Sequence, residues 1–394
     1  MADIFEKAFS YTAVKEIKAT GYYPYFIALD GHEGAEAVYR GRRLLMFGSN
    51  NYLGLTTHPK VREAAIEAIR RYGTSCTGSR FLNGTLLMHE QLEHELAEWV
   101  DKPAALVFST GYQANLGTIS ALVTRRDYAV LDKDDHASIL DGTQLALGGM
   151  KRFRHNDVAD LGRVLGKLPA DAGKLVIVDG LFSMEGDIAP LPEMIPVVKA
   201  HGARLMVDDA HAMGVLGGGR GTAAHFGVTD DVDLIMSTFS KSFASLGGFI
   251  AGDADVISYI KHNGRSIIFS ASIPPSNAAA ALAALDVMRS EPERVQQVNA
   301  NADYMRGELR RLGFDTGNSC TPVVPIIIGD DQLCFVVWRH LFDAGLFVNP
   351  VISPGVPPGR ALLRTSYMAT HTKEHMDRAL VIYEQIGKAF GLIS

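Results

Sequence analysis

From residue 56 to residue 250 the chain alternates between two hydrophobic rhythms. Short, nearly continuous apolar runs occur at 104–108, 128–131, 174–179, 204–207, 233–236 and 247–251, and a further short strand starts at 151–154. Runs of that length, rich in Val, Ile and Leu and closed by Gly, Asp or Ser, read as buried strands. Between them lie stretches with helical spacing at 59–72, 89–100, 157–168 and 194–201, and the segment 109–117 opens another helix that runs through about 121. In the second of these Leu92, Leu96 and Trp99 fall on one face. Strands alternating with helices predict an α/β sandwich around a mainly parallel sheet. Such a sheet binds ligands beyond the carboxyl ends of its strands, which here carry Tyr112, His136, Ser183, Asp208 and Lys241.

The flanks follow other patterns. Residues 1–20 read as one amphipathic helix with Phe5, Phe9, Val14 and Ile17 apolar, and 36–39 with 43–47 read as a hairpin across Arg40-Gly-Arg. After an alanine-rich helix at 278–288, a long helix at 291–312 leads out of the large unit. Strands at 323–328, 348–352 and 361–366 and helices at 333–342 and 371–390 then form a smaller α/β unit. The expected division is an N-terminal segment 1–55, a large domain 56–285 and a small C-terminal domain 286–394.

Composition narrows the function classes. A chain of 394 residues, 47% apolar and 21% charged, is long enough for more than one core. The formal charge of -6 excludes a general basic field for nucleic acid. No run of eighteen apolar residues marks a membrane span. The amphipathic start is compatible with weak peripheral contact to a membrane and equally with packing on a partner. Cys76, Cys320 and Cys334 have no metal-ligand spacing, so no metal is expected. With no signal-like apolar segment at the start, a cytoplasmic enzyme with free thiols is the expectation.

The candidate chemistry gathers around Lys241. It follows a strand, sits among the hydroxyls of Thr238 and Ser240, and precedes Gly247-Gly248. A lysine in such a place can form a Schiff base with an aldehyde, and the hydroxyls can face a phosphate; a surface loop lysine is the plain alternative. Upstream, Asp208 closes a buried strand, where a carboxylate is costly without a partner. A protonated pyridine nitrogen is such a partner, and pyridoxal phosphate requires one together with a lysine. Otherwise Asp208 caps a helix. His211 lies within reach of the same ring, and His136 stands at the mouth of a helix, where it can stack on a pyridine face or simply cap. The turn Ser109-Thr-Gly-Tyr112 joins a strand to a helix N-terminus, which is a phosphate site in principle. The glycine- and hydroxyl-rich loop 71–85 can bind an anion or be only a loop. Arg364 interrupts the apolar strand 361–366 and needs a carboxylate to face.

Four motifs together carry a family likeness: Asn50-Asn-Tyr-Leu-Gly-Leu55, Asp135-His-Ala-Ser138, Val207-Asp-Asp-Ala-His211, and Thr238-Phe-Ser-Lys241 with Gly247-Gly248. Through them nearly the whole chain resembles the α-oxoamine synthases, pyridoxal-phosphate enzymes of fold type I. The resemblance implies a large domain with a mainly parallel sheet, a small C-terminal α/β domain, and a homodimer with shared active sites. Gly21-Tyr-Tyr-Pro-Tyr-Phe26, Gly78–Thr85, Phe108–Tyr112 and Phe239–Ser245 are most similar to bacterial members that condense L-serine with a long-chain, palmitoyl-CoA-like thioester. The products there are 3-ketosphinganine, CoA and CO2. Siblings that use glycine, alanine or another acyl thioester are the alternative.

The resemblance also implies roles. Lys241 would hold the cofactor aldehyde and move protons, Asp208 would pair with the ring nitrogen, and His136 would stack on the ring. His211 would lie by the phenolic oxygen and polarise the acyl carbonyl. Gly111, Tyr112, Thr238 and Ser240 would surround the phosphate, with Ser270 reaching the phosphate of a partner subunit. Arg364 would grip the amino-acid carboxylate, Asn51 would lie near the substrate or the partner's site, and Ser183 would touch the cofactor.

Overall fold

The apolar runs assemble into one seven-stranded sheet. Its order is 104–108, 248–252, 234–238, 204–208, 173–179, 127–132, 149–153. Five strands, from 234–238 across to 149–153, pair in parallel. Only Gly248–Gly252 runs against its neighbours, antiparallel to both 104–108 and 234–238. The reason is local: the connection 239–247 holds no helix, and without a crossover element a strand must return antiparallel. The computed structural model that gives this architecture describes residues 3–394.

Except for the edge strand Gly149–Phe153, which buries only Phe153, the strands feed two cores by alternation. Val107, Val130, Val176, Val178, Leu205, Val207 and Ile235 enter the core on one face. Leu106, Ala129, Leu131, Leu175, Ile177, Met206 and Leu234 enter the core on the other. Helices cover both faces, so the strands read as unbroken apolar runs. The sheet also packs closely where its one antiparallel strand, Gly248–Gly252, meets the first helix after 104–108, Gly111–Leu122. A Cβ on Gly248 would stand 2.6 Å from the Gly111 Cα and 2.9 Å from the Ser237 carbonyl oxygen.

The C-terminal unit is a three-stranded antiparallel sheet, Val323–Gly329, Ala361–Ser366 and Asn349–Val351, with 361–366 in the middle. It packs with helices Asp331–Asp343, Lys373–Ala389 and Glu293–Leu312. The expected hairpin is present as Glu36–Tyr39 and Arg42–Met46, and Gly31–Glu33 adds a third strand. That hairpin pairs in parallel with Leu346–Phe347, and its Leu44, Leu45 and Phe47 share a core with Val324, Trp338, Leu341 and Tyr383. The chain then crosses at once: Tyr52, Leu53 and Leu55 are buried in the core of the large sheet. Residues 47–55 therefore tie the two units together.

The single N-terminal helix expected over 1–20 is corrected to two, Glu6–Phe9 and Ala13–Thr20, and neither buries a residue. Met1 and Ala2 lie outside the described residues. The Ser10 hydroxyl donates to the Glu6 carbonyl at 2.8 Å and the Thr12 hydroxyl to Glu16 Oε1 at 2.6 Å. Such side-chain bonds compete with helical continuation. The three cysteines are free thiols. No helix among the described residues is long and apolar enough to cross a membrane.

The neighbours of Gly248 are backbone atoms that cannot rotate away. Gly248→Ala should therefore destabilise the fold by about 1–3 kcal/mol through overpacking. A denaturant midpoint unchanged from that of the parent protein would show that the sheet and the helix can part there at no cost.

Candidate active site

Beyond the carboxyl ends of the parallel strands lies a cavity of about 310 Å³. Asp208, the last residue of its strand, is buried there. Its Oδ2 accepts from Asn115 Nδ2 at 2.7 Å and its Oδ1 from the Ala210 amide at 2.9 Å. The same Asn115 amide donates to Ser138 Oγ at 2.8 Å, and Ser138 Oγ lies 2.7 Å from His136 Nδ1. A continuous chain of polar contacts thus runs from the carboxylate to the imidazole that lines the cavity. His136 is the N-cap of helix Ala137–Leu145, which explains how its ring comes to the rim. Asp179, at the end of the adjacent strand, has a buried Oδ1 with no hydrogen-bond partner. Burial, and then the charge of Asp208, hold its carboxyl well above the usual range.

Lys241 leaves the end of Leu234–Thr238 on a tightly wound loop. The Phe239 amide donates to the Gly247 carbonyl, and the Ser245 amide to the Phe239 carbonyl, both at 2.9 Å. Phe239 and Phe243 anchor the loop in the core on either side of the lysine. Burial pushes the Lys241 amine down to about 8, with Asp208 and Asp179 opposing the shift and Arg364 adding to it. No hydrogen bond or ion pair to Nζ is found among the described residues.

The far end of the cavity suits a phosphate. Helix Gly111–Leu122 opens there, capped by Thr110, whose side chain accepts from the Gln113 amide at 3.1 Å. The Thr238 hydroxyl donates to the Gly247 carbonyl at 3.0 Å, and Ser240 Oγ lies 2.9 Å from it. A Cβ on Gly111 would meet the Thr238 Cβ at 2.7 Å, so this close approach requires glycine. A helix N-terminus, two hydroxyls, an unpaired amine and a buried carboxylate fit pyridoxal phosphate in each of its polar parts.

His211 forms the remaining wall, and Arg364 is joined to it through the Tyr52 hydroxyl. The His211 ring is buried, with Nδ1 2.7 Å from the Tyr52 hydroxyl. Burial, then the charges of Lys241, Arg364 and His136, hold its pKa well below the ordinary value. Arg364 is 4% exposed. Its Nε donates to the Ser183 carbonyl at 2.5 Å, and its Nη2 to Asn50 Oδ1 at 2.9 Å and to the Tyr52 hydroxyl at 3.4 Å. The carboxylate expected opposite this arginine does not come from the chain: among the described residues none lies within ion-pair distance of it.

The structure brings Gly111, Tyr112, His136, Asp208, His211, Thr238, Ser240 and Lys241 to one cavity. Four expected residues are not in its lining: Arg364, which reaches it through Tyr52 and His211, and Ser183, Asn51 and Ser270, the last of which was expected to serve a partner subunit's site. Ser183 touches Arg364 through its carbonyl, and lines a neighbouring cavity of about 380 Å³ with His155 and Pro357. The Asn51 side chain turns to Thr56, donating to its hydroxyl at 2.8 Å, and it is the flanking Asn50 and Tyr52 that reach Arg364. Ser270 Oγ accepts from Gln113 Nε2 at 3.0 Å, outside the cavity, beside the exposed Phe269. The Tyr112 hydroxyl donates to Asp141. In loop 71–85, Arg80 is held internally by both Glu93 oxygens, at 2.8 and 3.1 Å.

Sequence reasoning gave no site role to Asn50, Tyr52 and Ser138, although they stand in the family motifs, and did not single out Asn115 or Asp179. Asn115 carried a usable signal: it is one helical turn after Gly111, on the helix already assigned to the phosphate.

A family model for class I and II aminotransferases matches residues 42–382. The serine palmitoyltransferase of Sphingobacterium spiritivorum is 51% identical over 376 residues, covering 95% of this chain and 94% of that protein. Among solved structures, the Sphingomonas wittichii serine palmitoyltransferase superposes with a TM-score of 0.97 at 40% identity, covering 100% of both chains. A serine palmitoyltransferase solved with pyridoxal phosphate gives 0.96 at 37% identity, again over 100% of both chains.

The depressed amine makes a prediction of its own. In cofactor-free protein, Lys241 should react with trinitrobenzenesulfonate with a midpoint at about pH 8, against the ordinary lysine value of 10.5. A midpoint at the ordinary value, read by peptide mapping across pH, would mean that the site does not destabilise the ammonium.

Proposed function

The chain belongs to the class I and II aminotransferase family, and from that premise we propose that it is a pyridoxal-phosphate-dependent acyltransferase joining L-serine to a long-chain acyl-CoA. A bond forms between the serine Cα and the thioester carbonyl carbon. The C–S bond breaks and CoA leaves as the thiol. The serine carboxyl leaves as CO2, and a proton returned to Cα completes 3-ketosphinganine. The observation that carries this reading is Arg364, a buried guanidinium with no carboxylate within ion-pair distance among the described residues, joined through the Tyr52 hydroxyl to His211 in the wall of the cavity that holds Lys241 and Asp208. An amino-acid carboxylate supplies the missing charge.

When bound, pyridoxal phosphate supplies an aldehyde for amine attachment and a sink for the electron pair left at Cα. In this reading the amides of Gly111 and Tyr112 and the hydroxyls of Thr238 and Ser240 hold its phosphate. Asp208, steadied by Asn115, pairs with the ring nitrogen, and His136 stacks on the ring. Arg364 and Asn50 orient the serine carboxylate. Lys241 Nζ takes the Cα proton and later returns one; the burial that disfavours its ammonium suits the amine to the first of these steps. Arg364 donates to the Tyr52 oxygen, so the Tyr52 proton points at His211 Nδ1. His211 then carries its proton on Nε2, available to the oxyanion that develops on the acyl carbonyl, a contact worth roughly 3 kcal/mol.

We also propose a homodimer with shared sites. Phe81, Leu82, Leu87 and Phe269 are exposed large hydrophobics, and a second copy of the chain would cover them. Ser270 lies in the same exposed stretch, which supports its reaching the partner's phosphate.

Product mass with serine, glycine or alanine and acyl-CoA of varied length tests the substrate assignment. Serine with palmitoyl-CoA should give 3-ketosphinganine and CO2; a product from glycine or alanine alone would move the enzyme to a sibling activity. Lys241→Ala should abolish turnover. Arg364→Ala should weaken serine binding by roughly 2–5 kcal/mol, about 30-fold or more. An unchanged serine Kd in that variant would remove Arg364 from the substrate site.

A further inference from the structure

His155 lies outside the cofactor cavity and has no part in the chemistry above. Both of its ring nitrogens meet carboxylates: Nδ1 lies 3.0 Å from Asp132 Oδ1, and Nε2 lies 2.8 Å from Asp187 Oδ2. A carboxylate oxygen only accepts, so both nitrogens must donate, which only the imidazolium does. Burial works against that charge, but the bonds to Asp132 and Asp187 outweigh it and raise the ring to about 10. The Phe182 ring packs edge-on beneath the imidazole, with centroids 4.4 Å apart.

Each carboxylate belongs to a different part of the site. Asp132 ends a strand of the large sheet and is buried. It accepts from the amides of Asp134 and Asn156 at 2.9 and 2.8 Å, so it is a fixed point. Asp187 closes the loop that begins at Gly180. The Phe182 amide donates to the Asp187 carbonyl, and the Gly186 amide to the Phe182 carbonyl, both at 3.0 Å. Ser183 sits inside that loop, and its carbonyl receives Arg364 Nε. On its other side the loop is pressed against the small sheet. Gly186 has φ +69°, and a Cβ there would lie 2.0 Å from the Val323 carbonyl oxygen.

We propose that His155 is a positioning residue for the serine carboxylate subsite. Its bridge from Asp132 to Asp187 holds the 180–187 loop so that the Ser183 carbonyl aims the Arg364 guanidinium at the substrate. The bridge does this without touching substrate or cofactor. The inference rests on the reading of Arg364 as the carboxylate anchor and assigns what keeps that anchor in register.

The test uses the holoenzyme. His155→Gln can bridge only one carboxylate with a donor. Its serine Kd, by calorimetry, and its serine KM should both rise about tenfold from misplacement alone, with the acyl-CoA KM within about twofold of the parent value. In an Arg364→Ala background the same change should add no further loss of serine affinity. A folded His155→Gln protein with the parent serine Kd, an equal rise in both KM values, or an additive loss in the double variant would each overturn the proposal. If Arg364→Ala alone leaves serine binding intact, it is the anchor reading that fails instead. Should His155→Gln not fold, Asp187→Asn decides: a rise in serine Kd without one in acyl-CoA KM supports the bridge, and an unchanged serine Kd overturns it.

Discussion

Charge held at the carboxyl ends of a parallel sheet is the constraint from which the rest of this molecule follows. Asp208 and Asp179 end neighbouring strands, with Lys241 leaving the next one and Arg364 arriving from the small sheet. Buried ions of this kind are costly unless paired or hydrogen-bonded. The chain meets part of that cost with Asn115, the Ala210 amide, Asn50 and the Ser183 carbonyl. Among the described residues it leaves the Lys241 amine without a hydrogen-bond or ion-pair partner and Arg364 without a carboxylate, and these are the groups a cofactor aldehyde and an amino acid would satisfy.

Two hydrophobic units must hold a fixed relation for this to work. Arg364 belongs to the small sheet, whereas Asp208 and Lys241 belong to the large one. The segment 47–55 binds them together, with Phe47 in one core and Tyr52, Leu53 and Leu55 in the other. Tyr52 sits at the crossing, and its hydroxyl touches both His211 and Arg364. The loop 180–187 makes a second tie, from Asp132 through His155 to the strand that starts at Val323. Stability of the interface and geometry of the site are therefore carried by the same residues.

Much of this was legible along the chain. The strand and helix periods anticipate the large sheet, and the strand 361–366 with its interrupting arginine appears with the same ends. Lys241, Asp208, His136 and His211 each stand out as polar residues placed just after apolar runs, and the fold brings them to one cavity. Asn115, Ser138 and Asp179 do not stand out, because a polar residue inside a helix or at a strand end has many ordinary uses. The Asn51 side chain was expected near the substrate or the partner's site; within the chain it closes a turn onto Thr56, and it is Asn50 that faces Arg364. Neighbouring asparagines differ only in the direction the backbone gives them. The N-terminal helix divides because two hydroxyls bond locally, an effect smaller than hydrophobic periodicity registers.

Sequence alone determined the layers of the molecule and the chemistry of its principal side chains, because burial period and residue type are properties of short stretches. Tertiary structure decided which unit the N-terminal hairpin joins, since its pairing with Leu346–Phe347 spans some three hundred positions of chain. It also decided that, among the described residues, Arg364 has no acidic neighbour within ion-pair distance and His155 has three, two of them within hydrogen-bond distance. A charge is visible in one letter of sequence. Its partner is fixed only when distant segments are brought within a few ångströms, where desolvation and hydrogen bonding choose between them.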